Sequence, residues 1–157
     1  IQAAKKWMLE HFDQSDGLGA IFPPMVYTCL ALRSLGYADD SPEMVWAENQ
    51  LQRLMIEEDD SIRIQPCLSP VWDTTWMMIA LADAGVSPDD PSLEQAADWM
   101  LDHEITQPGD WAILDPQIAP GGWAFEYENR FYPDLDDTAT GLMALRRTAR
   151  FSEDRCQ

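Results

Sequence analysis

Apolar residues recur every three or four positions over most of the chain, a spacing typical of amphipathic helices. The clearest segment is predicted to begin with a capping box formed by Ser92 and Gln95. Its apolar positions follow the helical period without a break, at Leu93, Ala96, Ala97, Met100 and Leu101.

Other segments with this spacing are also predicted as helices. They cover residues 4–12, 24–35, 42–55, 71–84 and 136–150. Ser41 and Pro42 are expected to begin the third of these as N-cap and first helical residue. Residues 57–69 are polar and end in proline, and residues 105–135 mix proline, glycine and aromatic residues without a period. We predict a loop for the first stretch and a long ordered loop for the second.

Two kinds of internal similarity favour a repeat architecture. The stretch Lys-Trp-Met-Leu-Glu-His at 6–11 resembles Asp-Trp-Met-Leu-Asp-His at 98–103, and Ala-Leu pairs recur close to predicted helix ends. We therefore predict an all-α fold of stacked helix pairs with glycine- and aromatic-rich loops between them. The periodicity leaves open whether such pairs form an open solenoid or a closed α/α barrel.

The charge of the chain excludes some partners. It has 157 residues, of which 28 are acidic and 10 are basic, so its net charge is −18. So few cations cannot build a basic surface, which argues against nucleic acid or anionic phospholipid as a partner, although not against an uncharged lipid. The three cysteines, Cys29, Cys67 and Cys156, form no C-x-x-C pair, and they favour a reducing compartment.

No apolar run approaches the roughly 18 residues that a membrane-spanning helix needs. The chain begins with isoleucine inside an apparent helix and ends as abruptly. We expect it to be a piece of a longer protein.

Three carboxyl groups lie within four residues, at Asp134, Asp136 and Asp137. One interpretation is helix capping, because acids are stabilised at a helix N-terminus. A second is a proton donor, because crowded carboxyls cannot all ionise cheaply and so retain a proton. A third is a Mg²⁺ site for a diphosphate, since hard cations prefer carboxylate oxygens.

Aromatic residues precede these acids in a loop rather than on a helical stripe. An acid beside a dry aromatic wall could protonate an alkene, because ring faces stabilise a carbocation without trapping it and excluded water cannot quench it. The other interpretation of these aromatic residues is packing in the core. The loop also contains a Q-x-x-x-G-x-W pattern, formed by Gln117, Gly121 and Trp123. The aromatic residues in question are Trp111, Trp123, Phe125, Tyr127, Phe131 and Tyr132.

These motifs together resemble the squalene–hopene cyclases, the bacterial triterpene cyclases. The resemblance extends from about residue 17 to residue 145 and covers a middle slice of a longer family chain. It is carried by Pro-Cys-Leu-Ser-Pro-Val-Trp-Asp-Thr at 66–74, Pro-Gly-Asp-Trp at 108–111, Pro-Gly-Gly-Trp-Ala-Phe at 120–125 and Tyr-Pro-Asp-Leu-Asp-Asp-Thr-Ala at 132–139.

The resemblance implies two α domains of the α/α-barrel, or α-toroid, type with a cavity between them. Residues 1–65 would end the N-terminal-side domain, and residues 66–157 would begin the catalytic domain. The implied reaction is acid-initiated cyclisation of squalene to hopene or hopanol. It would need no cofactor and no metal ion.

Site residues follow from the same resemblance. Asp136 would donate the proton, with Asp134 and Asp137 as its carboxyl neighbours. Phe125 and Trp72 would face the developing cations. Further positions would shape the pocket or its water network, namely Ile21, Asp73, Tyr27 and Pro23.

The implied partners are squalene, the rest of the cyclase chain and a membrane surface contacted by parts outside this segment. Nucleic acid is not expected, and a homodimer is left open. The expected location is the cytoplasmic side of a bacterial membrane, as a peripheral or monotopic protein. The segment by itself is expected to be inactive.

The chain departs from the family pattern at several positions. Glu104 stands where a glutamine is usual before Gly-x-Trp at 109–111, and Phe22 stands where some relatives have a polar glutamine. The histidine that holds the central acid in the family lies downstream of this segment. His11 and His103, on the two similar helices, are expected to be structural.

Other classes remain as alternatives. Oxidosqualene cyclases carry a single aspartate followed by cysteine, which disfavours them here. Diterpene cyclases share the D-x-D-D pattern but act on a diphosphate, for which this chain has few cations. The remaining alternatives are a related cyclase acting on another polyprene and a non-catalytic α-repeat binding module.

Overall fold

The computed structural model describes residues 1–150, and these form a mainly helical structure in two compact units. The first unit is Ile1–Leu68, and the second begins at Ser69. The helical class is confirmed, whereas the toroidal arrangement and the domain boundary after residue 65 stay predictions. The helices are α1 (Gln2–Glu10), α2 (Phe22–Ser34), α3 (Pro42–Gln52), α4 (Pro70–Asp83), α5 (Pro91–Asp102) and α6 (Leu135–Leu145).

Helices α1, α2 and α3 of the first unit pack around a small apolar core. Met8, Leu32, Met44 and Ala47 are its buried members. Ser41 caps α3 as predicted, since its side chain accepts a hydrogen bond from the backbone nitrogen of Met44 at 3.4 Å.

A β-hairpin occupies part of the stretch that was predicted as a loop, so that prediction is wrong for residues 57–64. Strands β1 (Met55–Glu58) and β2 (Ser61–Ile64) pair antiparallel, with Met55 opposite Ile64. In β2, Ile62 and Ile64 alternate with Ser61 and Arg63 at strand spacing, whereas β1 reads Met-Ile-Glu-Glu and does not alternate. Four residues of alternation in one strand were too few to predict the hairpin.

Helices α4 and α6 of the second unit run parallel. The Oγ1 atoms of Thr75 and Thr140, each in the second turn of its helix, are 3.4 Å apart. Further along, the Nε of Arg147 lies 3.2 Å from Oδ1 of Asp83. The two contacts follow the same order along both helices, so the N-termini of α4 and α6 lie at one end of this unit.

Helix α5 runs antiparallel to α6. Just before α5, the carbonyl oxygen of Pro88 accepts a hydrogen bond from the nitrogen of Ala149, whereas Met100 near the end of α5 lies beside Gly141. The core between α4, α5 and α6 is made of Val71, Met78, Ile79, Leu93, Ala97, Met100, Trp123, Ala144 and Leu145.

Some predicted helix ends are wrong. Asp90, rather than a Ser92–Gln95 capping box, begins α5: its Oδ1 accepts a hydrogen bond from the backbone nitrogen of Ser92 at 2.9 Å. Pro91 explains the earlier start, because its fixed φ suits the first helical position. Helix α6 begins at Leu135 and ends at Leu145, so Arg150 lies beyond it. The first helix likewise stops before Phe12, whose ring stacks on Trp46 at 4.0 Å.

The predicted long loop at residues 105–135 contains a short 3-10 helix, Asp110–Ile113. In the described part of the chain, no helix is long and apolar enough to cross a membrane. Cys29 and Cys67 are free thiols, and Cys156 lies outside the described residues.

We expect Ser41→Ala to destabilise the first unit by about 1 kcal/mol, because the nitrogen of Met44 loses its acceptor at the helix start. Chemical denaturation followed by circular dichroism measures this loss. Ser41→Asp is the matched control, since its carboxylate can accept the same hydrogen bond. Equal stability of the alanine and aspartate variants would contradict the capping role.

Candidate functional site

The acidic cluster lies at the N-terminus of α6, and Asp134 is the N-cap residue of this helix. Its Oδ1 accepts a hydrogen bond from the backbone nitrogen of Asp137 at 2.8 Å. The capping interpretation therefore holds for Asp134, and it leaves the other two carboxyls free for other roles.

Asp137 is the buried member of the cluster, with 2% of its surface exposed. Burial raises the pKa of its carboxyl from 3.8 to about 7. The hydrogen bond with the side chain of Asp134 adds to this rise, as do the negative charges of Asp134, Asp136 and Glu126. Within residues 1–150 its Oδ1 has no hydrogen-bond partner. The site thus holds one carboxyl that is partly protonated near neutral pH.

Asp136 is exposed and lies on the outward face of α6. Ala139 and Met143 follow on the same face at intervals of three and four residues, and both are exposed. The predicted proton donor therefore projects from an otherwise apolar helix face.

Trp123 braces the acidic cluster through its backbone and its ring. Its backbone nitrogen donates to Oγ1 of Thr138 at 3.1 Å, and its carbonyl oxygen accepts from the nitrogen of Asp134 at 3.0 Å. Its indole Nε1 donates to the carbonyl oxygen of Met100 at 2.6 Å. One buried tryptophan thus joins the end of α5 to the start of α6.

Gly122 allows the loop before Trp123 to approach Thr138 of α6 closely. Its φ is +90°, and a Cβ there would lie 2.4 Å from Oγ1 of Thr138. Of the other members of the Gln117–Trp123 pattern, Gly121 is half-buried with the side chain of Glu104 nearby, and Gln117 is exposed.

A second brace holds the segment just before the acids. The hydroxyl of Tyr132 donates to Oδ2 of Asp110 at 3.1 Å. Burial raises the pKa of Tyr132 to about 12, and the hydrogen bond with Asp110 and the charge of that carboxylate add to the rise. A Cβ on Gly109 would lie 2.4 Å from the carbonyl oxygen of Phe131, so these two loop segments are in direct contact.

The other predicted residues of the second unit lie on α4 and in the loop. Trp72 is half-buried in the first turn of α4, and its ring meets that of Trp76 edge-on at 5.7 Å. Asp73 accepts a hydrogen bond from Ser69 at 3.1 Å. Because α4 and α6 are parallel, Trp72 and Asp136 lie at the same end of the unit. Phe125 is half-buried two residues after Trp123.

The remaining predicted residues belong to the first unit. Ile21 is the N-cap of α2 and pairs with Cys67 in a short β-bridge. Pro23 lies in the first turn of α2 and is exposed, and Tyr27, further along α2, is 68% exposed. Ile21 and Pro23 thus lie at the start of α2, whereas Tyr27 lies near its middle.

An open groove of about 500 Å³ lies beside α4 and α5, and none of the three carboxyls of the cluster lines it. Of the predicted site residues only Asp73 lines it. The remaining lining residues are Pro70, Thr74, Ser92, Gln95, Ala96, Trp99 and Tyr127.

The two histidines have matching surroundings. The ring of His11 stacks on Trp7 at 4.2 Å, and that of His103 stacks on Trp99 at 4.0 Å. In each case Nδ1 lies within 2.8 Å of the carbonyl oxygen of the same tryptophan. Both rings thus pack at helix ends, in keeping with the repeated sequence around them.

The sequence did not identify Glu126, Thr138 or the Tyr132–Asp110 pair as residues of the site. Thr138 could have been found, because it directly follows the acids and a hydroxyl at this position can accept from a loop nitrogen. Glu126 gave no such indication, since the sequence does not reveal that this charged residue is only 6% exposed.

The described residues 1–150 contain no group of three or more side chains arranged to hold a metal ion.

Fold and site together define a helical protein with crowded carboxyls at the start of one helix, braced by a tryptophan-containing loop. Family models agree with this class. The squalene-hopene cyclase N-terminal domain matches residues 1–60, and the squalene-hopene cyclase C-terminal domain matches residues 68–157. The chain belongs to the squalene-hopene cyclase family, which confirms the predicted resemblance.

Individual relatives match nearly the whole chain. A dammaradiene synthase from Dryopteris crassirhizoma is 45% identical over 92% of it. Squalene–hopene cyclases from Bradyrhizobium diazoefficiens and Alicyclobacillus acidocaldarius are each 39% identical, over 96% and 97% of it. The chain spans 21–24% of the length of these relatives.

We expect Gly122→Ala to destabilise the second unit more than Gly85→Ala. Both glycines have a positive φ, but a Cβ at Gly85 meets nothing within 4 Å, whereas one at Gly122 meets Thr138. Gly85→Ala should therefore cost about 1 kcal/mol from backbone strain alone. Thermal denaturation of the two variants measures the difference, and equal losses would contradict the close approach at Gly122.

We expect Asp137→Asn to stabilise the protein at pH 8. The folded pKa of Asp137, about 7, exceeds its unfolded value of about 3.9. Its contribution to stability is therefore fully present below about pH 4 and is lost as the pH rises through 7. Asparagine does not ionise, so the gain at pH 8 should be on the order of 2–4 kcal/mol.

Urea denaturation at pH 4 and at pH 8 checks this expectation, with Asp102→Asn as the control at an exposed carboxyl. A variant at position 137 that is no more stable than the parent protein at pH 8 would show that Asp137 is an ordinary ionised carboxylate.

Proposed function

We propose that the protein containing this chain is a triterpene cyclase that protonates a terminal alkene of squalene and closes its rings, giving hopene or hopanol. The observation that carries the proposal is the crowded carboxyl cluster, in which Asp134 accepts from the helix start and Asp137 is buried with a raised pKa. Family membership supports an isomerase of the cyclase type and an apolar polyprene substrate.

Asp136 is the proposed proton donor. Its O–H bond breaks as the proton adds to one carbon of the terminal alkene, and a carbocation forms on the other carbon. Further double bonds of the substrate attack in turn and close rings. The last cation loses a proton to give hopene, or it takes up water and then loses a proton from the bound water to give hopanol. No metal ion or cofactor is needed in this scheme.

The neighbouring carboxyls explain how an aspartic acid could be strong enough. A protonated Asp137 carries no charge, so it removes a negative charge beside Asp136 and makes ionisation of Asp136 less costly. Asp134 is held by the helix start, where free N–H groups stabilise its negative charge. The cluster therefore favours proton release from position 136.

The aromatic residues Trp72 and Phe125 are the proposed cation-stabilising groups. Trp72 starts α4, and α4 is parallel to α6, which supports a position of its ring near the acid end of the unit. A ring face attracts a cation within about 6 Å and forms no bond with it. Ile21, Pro23, Tyr27 and Asp73 are proposed pocket or water-network positions.

The exposed faces of α4 and α6 support a toroidal domain. Trp76 and Met77 on α4, like Ala139 and Met143 on α6, are exposed on the side away from the shared core. Parallel helices with an antiparallel helix behind them fit the inner and outer layers of an α/α barrel. Such apolar faces would be covered once the remaining helix pairs closed the ring.

Dammaradiene is a second candidate product. The dammaradiene synthase is 45% identical to this chain, whereas the squalene–hopene cyclases named above are each 39% identical. The same proton donor would serve either outcome, because the product depends on where the cation is quenched. Product analysis of the complete protein with squalene distinguishes the two.

The proposal extends to location and partners. An apolar substrate dissolved in lipid favours a peripheral or monotopic enzyme on the cytoplasmic side of a bacterial membrane, docked through parts outside this segment. The rest of the cyclase chain would supply the remaining cavity wall, so residues 1–157 alone are proposed to be inactive.

We expect Asp136→Asn in the complete protein to reduce squalene cyclisation by at least about 100-fold, because the amide cannot supply the proton. Gas chromatography of the products measures the loss, and circular dichroism checks the fold. Asp102→Asn, an exposed carboxyl at the end of α5, is the matched control and should retain activity.

Unchanged turnover of the Asp136→Asn variant would contradict the proton-donor role of Asp136. It would favour a non-catalytic binding module. A chelator assay tests the remaining interpretation of the acids, a Mg²⁺ site. Loss of cyclisation in EDTA would indicate a metal-dependent reaction.

A further inference from the structure

Two threonines meet in the interior of the second unit, between its parallel helices. Thr75 on α4 and Thr140 on α6 are 0% and 7% exposed. Their Oγ1 atoms are 3.4 Å apart, so either hydroxyl can donate to the other. The core between these helices is otherwise built of apolar side chains such as Val71, Met78 and Ala144. A polar contact in such a place calls for a physical reason.

Each hydroxyl also contacts the backbone in the first turn of its own helix. The Oγ1 of Thr75 lies 2.9 Å from the carbonyl oxygen of Trp72. The Oγ1 of Thr140 lies 2.9 Å from the carbonyl oxygen of Asp136 and 3.2 Å from that of Asp137. The hydroxyl pair therefore joins the turn that carries the proposed cation-stabilising ring to the turn that carries the proposed proton donor.

The proton of each hydroxyl links these contacts into one chain. A threonine hydroxyl has one proton to donate and two lone pairs that can accept. When Thr75 donates to Thr140, the proton of Thr140 goes to the carbonyl oxygen of Asp136. In the opposite direction, Thr140 donates to Thr75 and Thr75 donates to the carbonyl oxygen of Trp72. Either direction keeps the contact between α4 and α6.

We propose that Thr75 and Thr140 are positioning residues, a buried hydroxyl pair that fixes the spacing between Trp72 and Asp136. Both side chains are buried, so a hydroxyl that loses its partner across the interface gains no water in exchange. The catalytic consequence rests on the proposed function above, whereas the contact between the two hydroxyls does not.

The proposed reaction is sensitive to this spacing, because acid and ring act on the same substrate molecule. A misplacement of reacting groups by about 1 Å can cost on the order of 100-fold in rate. A smaller shift of the two helix starts should lower kcat. The KM should change little, since an apolar substrate is held mainly by apolar contacts. A displaced ring also stabilises the cation less, so more of the product should be incompletely cyclised.

The test uses Thr75→Val, Thr140→Val and the double variant in the complete protein with squalene. Valine keeps the branched shape of threonine and lacks its hydroxyl. Thr148→Val is the matched control, because Thr148 is also buried and its hydroxyl donates to the carbonyl oxygen of Leu145 at 2.9 Å, beyond the other end of α6.

We expect each single variant to lower kcat about three- to tenfold, with KM changed by less than about twofold. The share of incompletely cyclised products, measured by gas chromatography, should rise. The double variant should lose little more than the single variants, because either change alone breaks the contact. Serine at position 75 or 140 should retain the parent kcat, and Thr148→Val should match the parent protein.

A parent-like kcat and product pattern in the folded valine variants would overturn the proposal, as would single losses that multiply in the double variant. An equal loss in Thr148→Val would also overturn it, because removal of any buried hydroxyl would then have the same effect. If Thr75→Val fails to fold, Thr75→Ser and Thr75→Cys make the same comparison, since they differ in whether the γ atom is oxygen or sulfur. Equal kcat values for these two would count against the hydroxyl.

Urea denaturation midpoints of the same proteins show whether the two hydroxyls are coupled, independently of any reaction. Additive midpoint shifts would overturn the contact itself, and coupled shifts with unchanged kcat would overturn its positioning role. Failure of the proposed function would show differently. The parent protein would then form no cyclised product from squalene, or Asp136→Asn would retain full activity.

Discussion

The burial of Asp137 is the constraint on which the rest of the site depends. A carboxyl that is removed from water and surrounded by other acids retains its proton, and this costs the fold stability at neutral and higher pH. The backbone nitrogen of Asp137 donates a hydrogen bond to Oδ1 of Asp134, the N-cap residue of α6. Cap and buried acid are thus two parts of one helix terminus.

The surrounding loops hold that terminus in place. Trp123 is hydrogen-bonded to Thr138 and Asp134 on one side and to Met100 on the other, so the end of α5 and the start of α6 cannot move independently. Tyr132 and Asp110 make a second connection just before the acids. A loop rich in glycine and aromatic residues therefore works as a rigid support, because its glycines permit contacts that a Cβ would block.

Family membership and geometry together give a coherent chemical picture. The acids start one helix of a parallel pair, and Trp72 starts the other. Both helices carry exposed apolar residues on the side away from their shared core, Trp76 and Met77 on α4 and Ala139 and Met143 on α6. The acidic cluster and Trp72 thus lie at the same end of this unit.

The sequence alone determined the helical class, the N-cap at Ser41, the family and the acidic cluster, because these depend on local spacing and short motifs. It misplaced the start of α5 and missed the hairpin at residues 55–64, because β1 shows no alternation of apolar and polar residues and β2 is only four residues long. Only the tertiary structure decided which carboxyl of the cluster is buried and that Glu126, in the loop before it, is buried as well. Burial depends on which residues from distant parts of the chain pack together, and no local pattern encodes that.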